Sequence, residues 1–266
     1  MRVITISNQK GGVAKTTTAI ALGAALAEQG RRVLAVDMDP QSNLTMGLGI
    51  EPDRLERSIF QVLLGECAAE AAILPTAVEG LSVLPADLTL AGAEKRLFGE
   101  IGFDEILRAR LKPLHDAGRF DYAVIDCPPS LGLLTINAVT AASVVLVPVQ
   151  CEFFSARGLG QLLEIAGTVR EKRNPELVVR VLPTLYDRRN KICRNILIEL
   201  KRAFPLNLYA SVIGVDTRLR ESAAAGAPIT SFAPETRAAA EYRALAAEII
   251  AEESASSAPR RLAEVA

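Results

Sequence analysis

An α/β fold is expected, with one doubly wound, mostly parallel sheet and helices on both faces. Three observations predict it. Apolar runs of strand length, at residues 3–6, 33–37, 81–86, 120–126, 144–150 and 178–182, alternate with stretches of helical pattern. The first two runs are joined by a helix of about 14 residues, a βαβ crossover that makes the strands parallel there. The loop after the first run carries Gly11-Gly12 and then Lys15-Thr16, a strand–loop–helix arrangement suited to a phosphate chain.

That loop, residues 7–18, organises the rest. Glycines let backbone approach a ligand closely, inward N–H groups bind anions, and the following helix N-terminus adds partial positive charge. Lys15 is placed to neutralise the β- and γ-phosphates and the Thr16 hydroxyl to hold Mg²⁺. The usual pattern G-x-x-x-x-G-K-[ST] fails twice, because Gln9 and Ala14 stand where glycines are required. The pattern that fits is K-G-G-x-x-K-[ST], with a second lysine, Lys10, at its start. If position 14 needs a positive φ, alanine costs about 1 kcal/mol there. Because Ala14 directly precedes the helix, helical geometry is expected, in which alanine is neutral.

The second strand ends in Asp37-Met38-Asp39-Pro40-Gln41. Ligands bind outside the carboxyl ends of parallel strands, so both carboxylates are expected to face the site of Lys15. Two acids so placed repel each other unless a cation uses them. A further buried run ends at Asp126, followed by Cys127-Pro128-Pro129-Ser130. A strand-end carboxylate of this kind holds Mg²⁺. The metal candidates on this reading are Thr16, Asp126 and the pair Asp37 and Asp39, between which the residues alone do not choose.

In order after the first helix, residues 42–49 read as a short helix closed by glycines, 59–64 as a helix, 81–86 as a strand and 103–117 as an amphipathic helix. Then follow a strand ending at 126, a helix at 131–142 and a strand at 144–150. The last third alternates helix 159–172, strand 178–182, helix 190–204, strand 209–213, a short helix at 218–225 and a final helix at 238–252. A single domain over residues 1–253 is expected, with a flexible tail at 254–266.

Composition narrows the class. The chain has 266 residues, 50% hydrophobic and 23% charged, which gives a sizeable core. No apolar run reaches the roughly 18 residues that span a bilayer, and the chain starts directly in a strand, so neither a membrane span nor a signal peptide is expected. Cys67, Cys127, Cys151 and Cys193 are scattered, which suits reduced thiols in the cytoplasm. His115, the single histidine, sits in a charged helical stretch and is expected at the surface. The net charge of −1 argues against wholesale coating of nucleic acid. Between residues 180 and 243, however, eleven Arg and Lys face six acids, an excess of +5 that can track a phosphate backbone.

With these motifs in order, the sequence resembles the ParA/MinD family of deviant Walker A ATPases, and the ParA side of it. The likeness runs over roughly residues 2–250. It implies a P-loop NTPase fold, Mg²⁺-dependent hydrolysis of ATP, and a nucleotide-sandwich homodimer into which Lys10 reaches across to the partner's phosphates. Nucleotide contacts carried over are Lys10, Gly11, Gly12, Val13, Ala14, Lys15, Thr16 and Thr17. Lys10, Lys15 and Asp39 carry the chemistry, and the resemblance singles out Asp39, with Thr16 and Asp126, for Mg²⁺ and makes it the residue that orients the attacking water. The segment at residues 148–154 is implied near the dimer interface. Thr184-Leu185-Tyr186-Asp187-Arg188-Arg189 and Arg218-Leu219-Arg220-Glu221 match family segments, which makes Arg189, Arg218 and Arg220 candidates for non-specific contact with double-stranded DNA. Gly214-Val215-Asp216 replaces the family's P-R-N, so Asp216 is the candidate adenine contact on an altered segment.

The resemblance further implies a ParB-like centromere-binding partner that stimulates the ATPase, and a cytoplasmic, nucleoid-associated protein. Alternatives are a ParA-like ATPase that positions another cargo and a MinD-like membrane ATPase. The latter needs an amphipathic tail, whereas residues 254–266 hold one Leu, one Val and no aromatic residue. An iron-protein-like reductase lacks its cysteine pattern here, and a non-enzymatic DNA-binding module leaves Asp39 and Asp126 without a role.

Overall fold

The computed structural model describes residues 1–152 and 159–257. Its strands are β1 (Arg2–Ile6), β2 (Val33–Asp37), β3 (Leu74–Pro75), β4 (Leu81–Leu84), β5 (Tyr122–Asp126), β6 (Val144–Gln150) and β7 (Val178–Thr184). They form one sheet in the order β3-β4-β2-β5-β1-β6-β7. Every pairing is parallel except β3 with β4. The helices include α1 (Lys15–Glu28), α2 (Asn43–Gly47), α3 (Ile59–Leu64), α4 (Ala93–Leu97), α5 (Ile106–Asp116) and α6 (Leu133–Ala141). Beyond them lie α7 (Leu159–Lys172), α8 (Lys191–Ala203), α9 (Arg218–Ala224), α10 (Ile229–Phe232) and α11 (Arg237–Ser257). The doubly wound architecture expected from the alternating pattern is the one found.

Side-chain alternation along the strands divides the core between the two faces. Ile4 and Ile6 of β1, Val33 and Ala35 of β2 and Val124 of β5 pack under α1 and α11. Val3, Leu34, Val36, Ala123 and Ile125 pack on the other face under α3, α5 and α6. Helix α1 is buried nearly all round because its alanines and leucines meet the sheet on one side and α11 on the other. Helix α2 sits close on α1: a Cβ at Gly47 would collide with Ile20 Cδ1.

Several boundaries differ from expectation. Residues 209–213 do not form a strand. Tyr209 and Ile213 donate to Val181 and Pro183 of β7. Between them the amides of Ala210 and Ser211 turn to the Glu248 carboxylate of α11 at 2.7 and 3.0 Å, which interrupts the ladder. Helix α5 begins at Ile106 rather than 103. Asn137 of α6 holds that segment by donating to the Phe103 carbonyl and accepting from the Leu107 amide. The two-residue β3 carries a proline, which an edge strand tolerates. Helix α11 continues to Ser257. Of the expected tail, residues 258–266 lie outside the described residues, as do residues 153–154 of the segment expected near a dimer interface. The four cysteines are unpaired thiols and His115 is exposed.

Candidate nucleotide site at the carboxyl edge of the sheet

Register brings the candidates together. Ile6, where β1 gives way to the loop, stands beside Asp126 of β5, and Asp126 stands beside Asp37 of β2. Three strand ends therefore share one rim, and residues 7–14 lie over it. Asn8 fixes the start of the loop: its buried amide donates to the Pro148 carbonyl at 2.7 Å, and its Oδ1 accepts from the Lys10 amide at 3.0 Å. At the far end, the Thr184 hydroxyl donates to the Val13 carbonyl at 3.1 Å. Gly11 and Gly12 are exposed between these anchors, and Gly12 has φ 74°.

Ala14 corrects the sequence-based expectation. It is left-handed, with φ 69° and ψ 35°, and caps α1 without a side-chain hydrogen bond. Helical geometry had been expected there because the helix begins one residue later. The loop instead enters the helix through a left-handed turn at this residue, a conformation that suits glycine and is unfavourable for alanine. The methyl group strains the backbone. Ala14→Gly is expected to stabilise the nucleotide-free protein by about 1 kcal/mol. Urea denaturation checks this, and an unchanged or lower midpoint would show that the loop is not strained.

Lys15 is buried, and its Nζ donates back to the Lys10 carbonyl at 3.3 Å. Burial lowers its pKa, while Asp126 and then, more weakly, Cys127 and Asp39 pull the other way. Thr16 and Thr17 are half-buried in the first helical turn, whose N–H groups have no partner within the helix.

Asp126 is fully buried, and neither carboxylate oxygen has a hydrogen-bond partner. Burial first, and the neighbouring Asp37 second, hold its pKa well above the usual carboxylate range. The Thr16 hydroxyl comes near enough to favour the anion without reaching hydrogen-bond geometry. An unpartnered buried carboxylate beside a hydroxyl and a lysine fits a hard divalent cation that draws its other ligands from phosphate and water. Among the described residues, no group of three or more acidic, histidine or cysteine side chains is placed to hold a metal ion.

The two acids of β2 separate. Asp39 is buried beside Lys15 and Asp126, with Oδ1 accepting from the Gln41 amide at 2.9 Å. Asp37, expected to face the site, does not serve it directly. Its oxygens accept from the Asp39 amide at 3.1 Å, the Thr45 amide at 2.9 Å and the Thr45 hydroxyl at 2.7 Å. Burial pushes its pKa up to about 6 against these three bonds. Asp37 holds the loop that carries Asp39, a role that the Asp-x-Asp spacing alone does not reveal.

Lys10 sits at the rim, 35% exposed. Its Nζ lies 3.3 Å from Gln150 Oε1 and 3.6 Å from Glu152 Oε2. The geometry is thus a phosphate loop with one buried cation, one orphan carboxylate, one partly tied carboxylate and an outlying lysine.

Comparison with known proteins agrees with this geometry. Residues 1–179 match a family model described as an AAA domain. The chain is 43% identical to the sporulation initiation inhibitor protein Soj of Bacillus subtilis over 251 residues, covering 94% of this chain and 98% of Soj. It is 42% identical to the chromosome partitioning protein ParA of Caulobacter vibrioides, covering 95% of each. The chain belongs to the ParA/Soj family of P-loop ATPases. Its fold superposes with a TM-score of 0.85 on a Mycobacterium smegmatis protein named cobyrinic acid a,c-diamide synthase, solved with a bound ATP analogue and magnesium. That protein is 42% identical, with 96% of this chain and 97% of that one covered. The cell division ATPase MinD of Pyrococcus furiosus superposes at 0.74 with 26% identity, covering 94% of this chain and 99% of MinD.

The arginines that resemblance to the ParA family selects are exposed, on two adjoining segments. Tyr186 donates to Ile213 and accepts from Val215, which ties residues 185–189 to residues 213–218. Arg189 pairs with Asp187 through two nitrogens at 3.2 and 3.3 Å. Arg218 pairs with Glu221 at 2.7 Å and lies over the Phe232 ring. Arg220 is exposed and makes no ion pair among the described residues. Asp216 accepts from the Arg218 amide at 3.0 Å and so caps the approach to α9. Leu219, Ser222 and Ala223 of α9 face Thr17, Ile20 and Ala21 of α1, which sets this segment beside the phosphate loop.

Proposed function

We propose that this ATPase partitions DNA through an ATP-gated homodimer. The observation that carries the reading is the split between the two lysines. Lys15 is buried within its own loop beside Asp39 and Asp126, while Lys10 stands outside it at the rim. A self-contained site has no use for the second cation, whereas a site shared between two chains has. Bound Mg²⁺ would neutralise charge on the transferring phosphoryl group, with Thr16, Asp39 and Asp126 as its expected protein neighbours. Lys15 binds the β- and γ-phosphates, the N–H groups from Gly11 to Thr17 cradle the chain, and Asp39 orients the attacking water. Lys10 of one protomer supplies positive charge to its partner's phosphates.

Dimerisation then doubles the exposed arginines presented to DNA. Each neutralised phosphate adds about 0.9 to the slope of log affinity against log salt, so binding rises steeply when two basic surfaces act as one. Arg189, Arg218 and Arg220 are the proposed contacts, and Asp216 the proposed neighbour of the base. Hydrolysis, stimulated by a ParB-like partner, releases the dimer. The named relatives Soj and ParA support this reading, which places the protein in the cytoplasm on the nucleoid, acting as one domain over residues 1–253. No helix among the described residues is long and apolar enough to cross a membrane.

Sedimentation and duplex-DNA binding of wild type, Asp39→Ala and Lys15→Ala, each with ATP and with ADP, test the proposal. Wild type should dimerise and bind DNA with ATP only. Asp39→Ala should accumulate as a DNA-bound dimer, and Lys15→Ala should do neither. DNA binding that is equal with ATP and ADP would refute it.

A further inference from the structure

Thr184 closes β7 and is fully buried. Its hydroxyl donates to the Val13 carbonyl in the phosphate loop, and its own carbonyl accepts from the Cys151 amide at 3.2 Å. One residue therefore fastens the loop to the end of β6 and to the start of the basic segment. Immediately after it the chain makes a tight turn, with Leu185 left-handed at φ 50°. Among the described residues, left-handed non-glycine positions are Ala14, Ser42 and Leu185, and all three lie at the carboxyl edge of the sheet. A γ-branched side chain held in that conformation marks a segment fixed by its surroundings.

From Leu185 the connection stays short. Tyr186 donates to Ile213 at 3.0 Å and accepts from Val215 at 3.2 Å. Val215 leads through Asp216 to Arg218, and Tyr186 leads through Asp187 to Arg189. Arg189 thus follows Thr184 along a short stretch of chain, and Arg218 is tied to the same stretch through the two Tyr186 backbone hydrogen bonds.

We propose that Thr184 is a positioning residue that couples the phosphate loop to the DNA-facing segments, so that the state of the nucleotide sets the placement of Arg189 and Arg218. The proposal rests on the ATP-dependent DNA binding argued above. Its physical basis is that the two sides of the loop's peptide units are used at once. The N–H groups on one side face the phosphates, and the Val13 carbonyl on the other side faces Thr184. A shift of these units on binding phosphate either breaks the Thr184 bond or moves its donor. The β-branched side chain, buried in one rotamer, cannot follow alone, so the backbone at Thr184 and Leu185 follows with it. A carbonyl left unpaired at this depth is unfavourable, which biases the outcome toward concerted movement.

Thr184→Val keeps the volume and removes the donor, whereas Thr184→Ser keeps the donor. Affinity for a short DNA duplex is measured with a slowly hydrolysed ATP analogue and with ADP, each at saturation. Wild type and Thr184→Ser should prefer the analogue-bound form. In Thr184→Val that preference should fall about tenfold, within the usual range of site-to-site coupling. Reciprocity requires the same loss in the effect of DNA on analogue affinity. Hydrogen exchange of wild type at residues 185–189 and 213–218, without DNA, should change when nucleotide is added. This measurement does not depend on the folding of any variant.

A wild-type preference retained by Thr184→Val overturns the proposal. So does equal loss in the valine and serine variants, which would mark a packing role, and so does hydrogen exchange indifferent to nucleotide. Absence of any nucleotide preference in wild type itself would instead remove the parent reading, and the coupling with it.

Discussion

Lys10→Ala is expected to leave a chain that binds ATP with affinity within a few-fold of wild type, stays monomeric, and hydrolyses ATP on the order of 10³-fold more slowly under stimulated conditions. A cation delivered to a transferring phosphoryl from another chain is worth about 10³–10⁵ in rate. The structure explains why nucleotide affinity should survive. Lys10 contributes its carbonyl to the loop, as the acceptor for Lys15 Nζ, and the substitution leaves that backbone bond in place. Its side chain meanwhile leans on Gln150 and Glu152 of the same chain. The pair with Glu152 is half exposed, so it contributes only about 0–1 kcal/mol and leaves the lysine free to exchange partners. Single-turnover hydrolysis and sedimentation with ATP separate the roles. If Lys10→Ala lost ATP affinity as completely as Lys15→Ala, Lys10 would belong to its own chain's pocket and the shared site would be wrong.

That Lys15, Thr16, Asp39 and Asp126 come together at one rim was legible in the sequence, for a physical reason. Phosphate binding needs particular residue types at fixed offsets from a strand end, so Lys15, Thr16 and the strand-end Asp126 are recognisable wherever the strand pattern can be read. The sheet was legible because parallel strands buried on both faces read as nearly continuous apolar runs. What escaped notice depends on backbone geometry or distant partners. Ala14 looks harmless beside a helix until φ is known. Asp37 and Asp39 share a spacing and a residue type, and only the Thr45 amide and hydroxyl decide that Asp37 turns inward. Thr184 lies 171 positions from the carbonyl it binds, a distance at which one threonine carries no signal. Residues 209–213 have the apolar character of a strand, and Glu248, far along the chain, takes the amides that a ladder would need.

Asp126→Asn should have two effects of opposite sign: a more stable protein without nucleotide, and one nearly inert as an enzyme. The carboxyl group is fully buried with both oxygens unpartnered, next to Asp37 across the sheet. A neutral amide of the same shape avoids the proton uptake that burial forces on the acid, which costs about 1.4 kcal/mol for each unit by which the folded pKa exceeds the unfolded one, up to the working pH. A gain of this size corresponds to roughly 2–4 °C in melting temperature per kcal/mol for a chain of this length. The pH dependence identifies the cause. Because the folded-state pKa of Asp126 is raised, the folded protein holds a proton that the unfolded chain releases above about pH 4. The wild-type penalty is therefore absent at lower pH and grows as pH rises toward the folded pKa. The advantage of Asn over Asp should vanish near pH 4 and be largest at neutral pH, with EDTA present to exclude metal. With Mg²⁺ and ATP the order should invert. The wild-type carboxylate gains a cation and nucleotide stabilises the fold, while the variant loses about a hundredfold or more in hydrolysis. A variant that melts lower than wild type at neutral pH in EDTA would mean that Asp126 holds the strand ends together rather than waiting for a cation.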